Sequence, residues 1–141
     1  MNSRLEALKE RFYSEPYIRA FGISVVDLEE GRSVLQMKTN ENMNNMFDCT
    51  HGAAIYSLMD AAFELAVNSH GTVAVALNLN ITYLSSPLPG SKLTAEAREF
   101  SRTRKTANYD IKVFDDRGHL TVSCQALVYR TENPLPFLNA D

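Results

Sequence analysis

The chain has 141 residues, 45% of them hydrophobic, and its 14 Lys and Arg against 17 Asp and Glu leave a net charge of −3. A chain of this length can form one domain with a substantial core, and its charge provides no basic surface for nucleic acid. Residues 1–12 lack the apolar segment of a signal peptide and no stretch reaches the ~18 apolar residues of a membrane span, so we expect a cytoplasmic protein with no membrane partner.

Hydrophobic spacing predicts a first helix over residues 5–13, with three apolar residues on one face: Leu5, Leu8 and Phe12. We interpret residues 1–16 as a helix that covers the core. Two strands then form a hairpin around Glu30-Gly31, over residues 23–29 and 32–39. Their candidates for the core are Val25, Val34, Leu35 and Met37.

A long helix is predicted over residues 53–67, after the polar segment 40–48 and before a glycine stop at Gly71. Apolar side chains occur all round this helix, which is typical of a helix enclosed by a sheet. Four strands follow, at residues 73–83, 92–101, 107–114 and 120–130. The order of elements predicts an α+β domain with a single antiparallel sheet around one long helix. Only the tail, residues 133–141, is expected to be loosely held.

The long helix carries an acid, Asp60, in its middle. Burying a carboxylate costs several kcal/mol, and roughly 2 kcal/mol or more even for an unpaired polar group, so we interpret Asp60 as a group that acts on a bound substrate. The alternative is a structural acid paired with a Lys or Arg across an interface. Glu64, one turn later, is either a second acid that raises the pKa of Asp60 or, as we favour, a residue at the rim.

Several short motifs stand in register along the chain. They are Phe21-Gly22-Ile23, Asn45, His51-Gly52, Asp60, Asn68-Ser69, Gly71, Ile81-Thr82-Tyr83-Leu84, Arg104-Lys105-Thr106 and Tyr109-Asp110. With the order of elements, this set resembles the hot-dog-fold acyl-CoA thioesterases of the PaaI type, named for phenylacetate degradation. The resemblance covers nearly all of residues 1–141 and implies a single hot-dog domain, in which the sheet wraps the long helix.

The resemblance implies that Asn45 and the backbone N–H of Gly52 hold the thioester carbonyl, while Asp60 attacks it or activates water. The start of a helix suits this role, because its N–H groups are unpaired and carry a partial positive charge for an oxyanion. His51 is either a helix-entry residue that holds the preceding loop or a substrate contact, and we count it as a supporting site residue. Asn45 shares its loop with Asn42 and Asn44, and any of the three could be a mere turn former. The spacing of six residues between Asn45 and His51 singles out Asn45.

Asp60 lies nine residues after His51. At 1.5 Å per residue this is about 13 Å along the helix, too far for Asp60 to reach a substrate atom held at the start of its own helix. The resemblance implies that two hot-dog subunits pair, so that the acid of one faces the helix start of the other. We therefore predict a homodimer with shared active sites, assembled into a homotetramer.

A basic cluster on one predicted hairpin comprises Arg98, Arg102, Arg104 and Lys105. It is either a solvated edge that prevents further strand pairing or a site for the nucleotide phosphates of CoA. The resemblance implies the second role for Arg104, Lys105 and Thr106. Four residues near the long helix are candidates for an acyl pocket, although such residues belong to the core more often: Met46, Phe47, Tyr56 and Phe63.

Three positions depart from the family pattern. Ala53 replaces a second Gly after the His and keeps its N–H. Asp48 stands where the family has Gly, so its carboxylate opposes negative charge near the oxyanion donors, faces solvent or caps the helix. Ala76 stands where some relatives carry a Ser or Thr that orients water.

We expect neither a metal nor a redox cofactor, because no spacing among the candidate ligands matches a known site and CoA is part of the substrate. A nucleophilic Cys49 activated by His51 is disfavoured, since two residues on one loop lack independent orientation. The expected function is hydrolysis of a small or medium acyl-CoA, with aryl-acetyl-CoA among the candidates. The alternatives are a non-catalytic acyl-CoA sensor and a hot-dog enoyl-CoA hydratase that uses His51 with an acid.

Overall fold

The structure is a computed structural model that describes residues 2–138. Its helices are α1 (Ser3–Tyr13), α2 (Pro16–Phe21) and α3 (Gly52–Asn68). Its strands are β1 (Ser24–Glu29), β2 (Arg32–Lys38), β3 (Thr72–Tyr83), β4 (Lys92–Arg102), β5 (Thr106–Phe114) and β6 (Leu120–Pro134). Short 3₁₀ turns lie at Glu41–Met43 and Pro136–Leu138. Within residues 2–138, no helix has the length and apolar content needed to cross a bilayer.

The six strands form one sheet in the order β1-β2-β4-β5-β6-β3, and every neighbouring pair is antiparallel. α3 packs mainly against β2, β4 and β5, in the middle of this sheet. The two edges of the sheet are β1 and β3. The prediction of a single antiparallel sheet with one long helix is therefore confirmed.

The core lies between α3 and the inner face of the sheet. Leu58, Ala62 and Leu65 of α3 have no exposed surface. β4 contributes Ala95 and Ala97, which are also fully buried and small enough to let the helix lie close to the strand. Burying each large apolar side chain of this kind contributes about 1.5–3 kcal/mol, so this layer accounts for much of the stability.

The hairpin of β1 and β2 confirms Leu35 and Met37 as core residues, and Val25 is half-buried against the core. The prediction for Val34 is wrong. Side chains alternate between the two faces of a strand, so Leu35 and Met37 face the helix while Val34 faces away from it. Ser33 takes the core position instead, and its hydroxyl donates to a carbonyl of α3 at 2.6 Å.

The cover predicted over residues 1–16 contains α1, and a second short helix, α2, follows it from Pro16 to Phe21. α1 is capped by Asn2, whose side-chain oxygen accepts the Leu5 N–H at 2.9 Å. Hydrophobic spacing did not predict α2, because six residues are too few to show a period. Two signals do mark it: Pro16 at its first position and Gly22 after its last, where φ is 63°.

The tail is held more firmly than predicted. Leu135 is 4% exposed, and its N–H donates to the Gly71 carbonyl at 3.1 Å. The 3₁₀ turn Pro136–Leu138 packs against α1. The expectation of a loose segment is therefore wrong for residues 133–138, because a buried leucine anchors them, and residues 139–141 lie outside the described range.

α3 is not enclosed on all sides. Ala53, Tyr56 and Asp60 are exposed, and Glu64 continues the same stripe half-buried, since residues three or four apart share one face of a helix. The expectation that Asp60 is buried by apolar neighbours is therefore wrong for a single chain. The neighbouring edge strand β3 also exposes large apolar side chains: Val75, Leu77 and Tyr83.

Candidate active site

His51 forms the N-cap of α3. Its Nδ1 accepts the Ala53 N–H at 3.0 Å, and its own N–H donates to the Met43 carbonyl at 2.6 Å. The His51 ring thus caps the first turn of α3, which is the helix-entry role considered from the sequence. Since Nδ1 accepts, the neutral ring carries its proton on Nε2, on the exposed side.

The N–H of Gly52 is the free donor at the start of α3. The Ala53 N–H is taken by the His51 ring, and the next two amides donate to the His51 carbonyl. Gly52 N–H has no acceptor among residues 2–138. It borders a recess of about 330 Å³, whose other lining residues are Asn45, Thr50, Ile55, Tyr83, Leu84, Ser85 and Ser86.

Asn45 presents a second donor to this recess. Its Oδ1 accepts the N–H groups of Phe47 and Cys49 at 2.8 and 3.2 Å, so the remaining polar group of the carboxamide is its Nδ2. Of the three asparagines considered, only Asn45 lines the recess, while Asn42 and Asn44 line a neighbouring one. The structure therefore brings Asn45 and Gly52 together, as the spacing predicts.

Asp48 and Ala76, two departures from the family pattern, are both exposed. Asp48 has a φ of 59°, the left-handed conformation that glycine adopts freely and that aspartate tolerates better than most residues. This backbone geometry explains why a Gly suits the position. Ala76 lies on β3 and offers no hydroxyl to a water molecule.

Asp60 lies in a different recess, of about 280 Å³, lined also by Glu15, Tyr17, Ile18, Tyr56, Ser57, Ala61 and Glu64. The walls exclude water from one side of the carboxyl, which raises the pKa of Asp60, and the negative charge of Glu15 raises it further. Within residues 2–138 no Lys or Arg forms an ion pair with Asp60. Asp60 therefore has no cationic partner within the described chain, and the alternative of a structural acid paired with a Lys or Arg across an interface stays a prediction.

Glu64 is half-buried rather than at the rim. Burial raises its pKa from 4.5 to about 8, with further contributions from a hydrogen bond with Glu15 and from the charges of Glu15 and Asp60. Glu15 Oε2 is buried and has no hydrogen-bond partner among the described residues, and a proton on the nearby Glu64 would give it one. The sequence analysis did not predict Glu15. In the sequence, the following Pro16 marks Glu15 as the residue that precedes a helix. Glu15 is the N-cap residue of α2, but its side chain makes no hydrogen bond to that helix and is therefore free to face α3.

The stability of the protein is expected to fall as pH rises from about 5 to about 8. In that window the folded chain keeps the proton of Glu64, whose pKa is raised to about 8, while the unfolded chain releases it near 4.5, so each rise in pH favours unfolding. Glu64→Gln keeps a donor for Glu15 without titrating, and should flatten the dependence of Tm on pH. Thermal unfolding at pH 5 and pH 8 measures this, with exposed Glu10→Gln as the control. An unchanged slope in Glu64→Gln contradicts the assignment.

The two recesses share no lining residue, so one chain does not bring Asp60 to the Asn45–Gly52 donors. Eight residues separate Gly52 from Asp60. At 1.5 Å per residue, this is about 12 Å along α3. The donors and the acid of a single chain therefore form two incomplete halves of a site.

The Arg104-Lys105-Thr106 segment lies at the far end of the sheet from the helix start. Tyr83, beside Gly52, is in register with Val113 through β6, and Thr106 precedes Val113 by seven residues, or about 23 Å of strand. Arg104 Nε pairs with Glu132 at 3.0 Å, and both side chains are exposed. Arg104 and Lys105 of this segment line a recess of about 390 Å³ with Tyr129, Arg130, Thr131, Glu132 and Asn133.

The four candidates for an acyl pocket separate into three groups. Phe63 is a core residue, in edge-to-face contact with Tyr109 at 5.5 Å between ring centroids, so it lines no pocket. Tyr56 lines the Asp60 recess. Met46 and Phe47 are exposed, so the expectation that such residues belong to the core is wrong for these two.

Residues 47–122 match the Thioesterase superfamily. A putative esterase from Archaeoglobus fulgidus is 32% identical over 133 residues, which cover 94% of this chain and 86% of that protein. The acyl-coenzyme A thioesterase PaaI of Escherichia coli K12 is 34% identical over 99 residues, 70% of this chain and 71% of PaaI. The solved structure of the E. coli PaaI protein from the phenylacetic acid degradation operon has a TM-score of 0.88 at 27% identity, and the match covers 93% of this chain and 95% of that one.

A long helix wrapped by one antiparallel sheet, with a free amide at the helix start, defines a hot-dog domain, and the structural match confirms that fold. The chain belongs to the Thioesterase superfamily, as a hot-dog thioesterase of the PaaI type, and is a thioester hydrolase.

Proposed function

We propose that the protein hydrolyses small or medium acyl-CoA thioesters, with aryl-acetyl-CoA among the candidates, in active sites shared between two subunits. One observation carries the proposal: each chain has two donors without an acid and, about 12 Å along the helix, an acid without donors. Two chains related by a twofold axis complete two sites at once. The proposed hydrolysis needs neither a metal nor a redox cofactor. A cytoplasmic location remains a prediction.

In this proposal the thioester carbonyl oxygen accepts hydrogen bonds from Asn45 Nδ2 and Gly52 N–H. Both donors are free in the described chain, and both belong to a region of positive potential at the helix start. As the carbonyl carbon becomes tetrahedral, negative charge develops on that oxygen and the two bonds strengthen. His51 supports the donors by capping the helix and holding the preceding loop.

Asp60 of the partner subunit supplies the base or the nucleophile. As a base, its carboxylate takes a proton from water while the water oxygen attacks the carbonyl carbon, and collapse of the oxyanion breaks the carbon–sulfur bond and releases CoA thiolate. As a nucleophile, its carboxylate attacks the carbonyl carbon and the carbon–sulfur bond breaks, which releases CoA thiolate and leaves a mixed anhydride; water then hydrolyses the anhydride to the free acid and restores the Asp60 carboxylate. The raised pKa of Asp60 makes its carboxylate a stronger base than an ordinary aspartate.

The edge strand β3 supports the proposed dimer. It has 12 residues, its outer edge is unpaired in the chain, and its large apolar side chains are exposed. Long apolar edges favour pairing with another strand. Antiparallel pairing of two β3 strands reverses the sheet, so the Arg104-Lys105-Thr106 segment of one subunit comes to the end where α3 of the other begins. This arrangement supports a role for that segment in binding the phosphates of CoA, and a homotetramer of such dimers remains a prediction.

Leu77→Arg on β3 is expected to give a monomer with at least a hundredfold lower kcat/KM, because charge on the edge prevents pairing and leaves both site halves incomplete. Val26→Arg is a matched control. Leu77 and Val26 are 57% and 55% exposed, and each lies at the bulge of an edge strand. Sedimentation velocity and thiol release measure the two effects. An active Leu77→Arg monomer contradicts the shared site.

Release of free thiol from a panel of acyl-CoA and aryl-acetyl-CoA thioesters tests the function itself. Hydrolysis gives one thiol for each thioester consumed. Tight binding without thiol release indicates the sensor, and hydration of crotonyl-CoA without thiol release indicates the hydratase. The cap formed by the His51 ring argues against the hydratase, because Nδ1 is already occupied by the helix.

A further inference from the structure

The turn from Asn45 to Cys49 carries two large apolar side chains that the chain leaves uncovered. Met46 is 87% exposed and Phe47 75%, more than any other large hydrophobic side chain in the described residues. Exposed apolar surface of this kind marks a contact with another molecule when it is concentrated at one point. The pair lies within two residues of a proposed oxyanion donor.

The turn is rigid, so this exposure does not result from a loose loop. Asn45 Oδ1 accepts the N–H groups of Phe47 and Cys49, and Asn45 N–H donates to the Cys49 carbonyl at 2.7 Å. Asp48 closes the turn in the left-handed conformation. The Asn45 carboxamide is therefore bonded to the Phe47 backbone through its oxygen, while its nitrogen is free for the recess.

We propose that Phe47, with Met46 beside it, is a specificity-determining residue that contacts the acyl group of the bound thioester. The inference rests on the proposed function, in which the thioester carbonyl lies at Asn45 and Gly52. That carbonyl carbon bears two substituents: the sulfur with its CoA arm and the acyl chain. The CoA arm carries amides and phosphates that need polar partners, whereas Phe47 and Met46 offer apolar surface. Their chemistry therefore matches the acyl chain.

The opposite wall of the acyl site comes from the recess that holds Asp60. Its exposed aromatic side chains are Tyr17 and Tyr56, 56% and 37% exposed, and Ile18 lies beneath them. In the shared site, this recess belongs to one subunit and the turn with Phe47 to the other. An acyl chain between them buries apolar surface on both sides, so longer chains gain more binding energy.

The experiment measures kcat/KM by thiol release for saturated acyl-CoA substrates from acetyl to decanoyl, in the wild type and four variants: Phe47→Ala, Phe47→Leu, Met46→Ala and Phe100→Ala. Phe100 is the matched control, because it is a 58% exposed phenylalanine on β4. In the wild type we expect kcat/KM to rise about fourfold for each methylene that the site covers. Phe47→Ala should lose about ten- to a hundredfold with decanoyl-CoA and less than about twofold with acetyl-CoA. Phe47→Leu should recover most of the loss, and Phe100→Ala should follow the wild type.

Three outcomes for the Phe47 variants overturn the inference. An equal loss with acetyl-CoA and decanoyl-CoA means that Phe47 acts on the orientation of Asn45 and not on the acyl chain. An unchanged profile means that the side chain contacts nothing in the reaction, and dissociation of the dimer in sedimentation velocity means that its contact is the other subunit. Asp60→Asn in the same panel distinguishes failure of the Phe47 inference from failure of the proposed function. Thiol release that depends on Asp60 but not on Phe47 leaves the proposed function in place. An inactive wild type overturns both.

Discussion

Asp60→Asn and Asp60→Ala are expected to lower kcat by about a thousandfold while the fold is retained. Asn keeps the shape of the side chain but neither accepts a proton from water nor attacks the thioester. Because the residue is exposed in its recess and makes no ion pair in the described chain, its replacement removes no structural contact. Thiol release under saturating acyl-CoA measures the loss, and circular dichroism with Tm reports the fold.

Asp110→Asn is the matched control, since Asp110 is a β5 carboxylate that pairs with Lys112 and belongs to neither half of the site. The wild type should also lose activity at low pH. Because the pKa of Asp60 is raised, the fall in kcat/KM should begin at a higher pH than an ordinary aspartate gives, and Asp110→Asn should leave it unchanged. Near-normal hydrolysis by both Asp60 variants removes the catalytic assignment.

Gly52→Pro is expected to lower kcat about a hundred- to a thousandfold, because proline has no N–H to donate to the oxyanion. The backbone tolerates the change: Gly52 is the first residue of α3, where proline is favoured, and the preceding His51 has a ψ of 135°, as a residue before proline prefers. Gly52→Ala is the control that keeps the N–H. An added Cβ lies 3.4 Å from the Tyr83 ring in both variants, so their difference reports the loss of the N–H together with the ring carbon that replaces its hydrogen.

Asn45→Asp tests the second donor by the same logic. The aspartate retains an oxygen for the N–H groups of Phe47 and Cys49, so the turn is preserved, but it replaces the Nδ2 donor with a second carboxylate oxygen. We expect a loss of kcat at least as large as that of Gly52→Pro, with Tm nearly unchanged. Asn42→Asp, outside the recess, should remain active. Equal activity of Asn45→Asp and the wild type would rule out the side-chain donor.

Much of the fold was predictable because it follows from local patterns. The long apolar stretch predicts α3, the alternation of apolar residues predicts the strands, and the turn residues mark the boundaries between these elements. The errors have physical causes that a one-dimensional pattern does not contain. Val34 is apolar but faces away from the helix, and α2 is too short for its period to be visible. The two prolines beside Leu135 led to the prediction of a loose tail, whereas the buried Leu135 side chain anchors it.

The candidate site was likewise predictable from the sequence only in part. The residue types of Asn45, Gly52 and Asp60 indicated the chemical groups, and the spacing from His51 to Asp60 indicated a separation of about 13 Å along one helix. Sequence did not predict that Glu15 approaches Glu64 across α2 and α3, because the two residues are 49 positions apart. Nor did it predict that Met46 and Phe47 remain uncovered on a rigid turn, since exposure depends on what the rest of the chain leaves open.

By itself, the sequence determined the order of elements, the presence of the long helix and the distance along it from His51 to Asp60, because hydrophobic pattern and rise per residue act over a few neighbouring positions. Only the tertiary structure decided which face of α3 stays open, that the donors and the acid of one chain line separate recesses, and that β3 is left as an unpaired apolar edge. These features depend on how distant segments pack, since the sheet order and the path of each loop set which surfaces are covered.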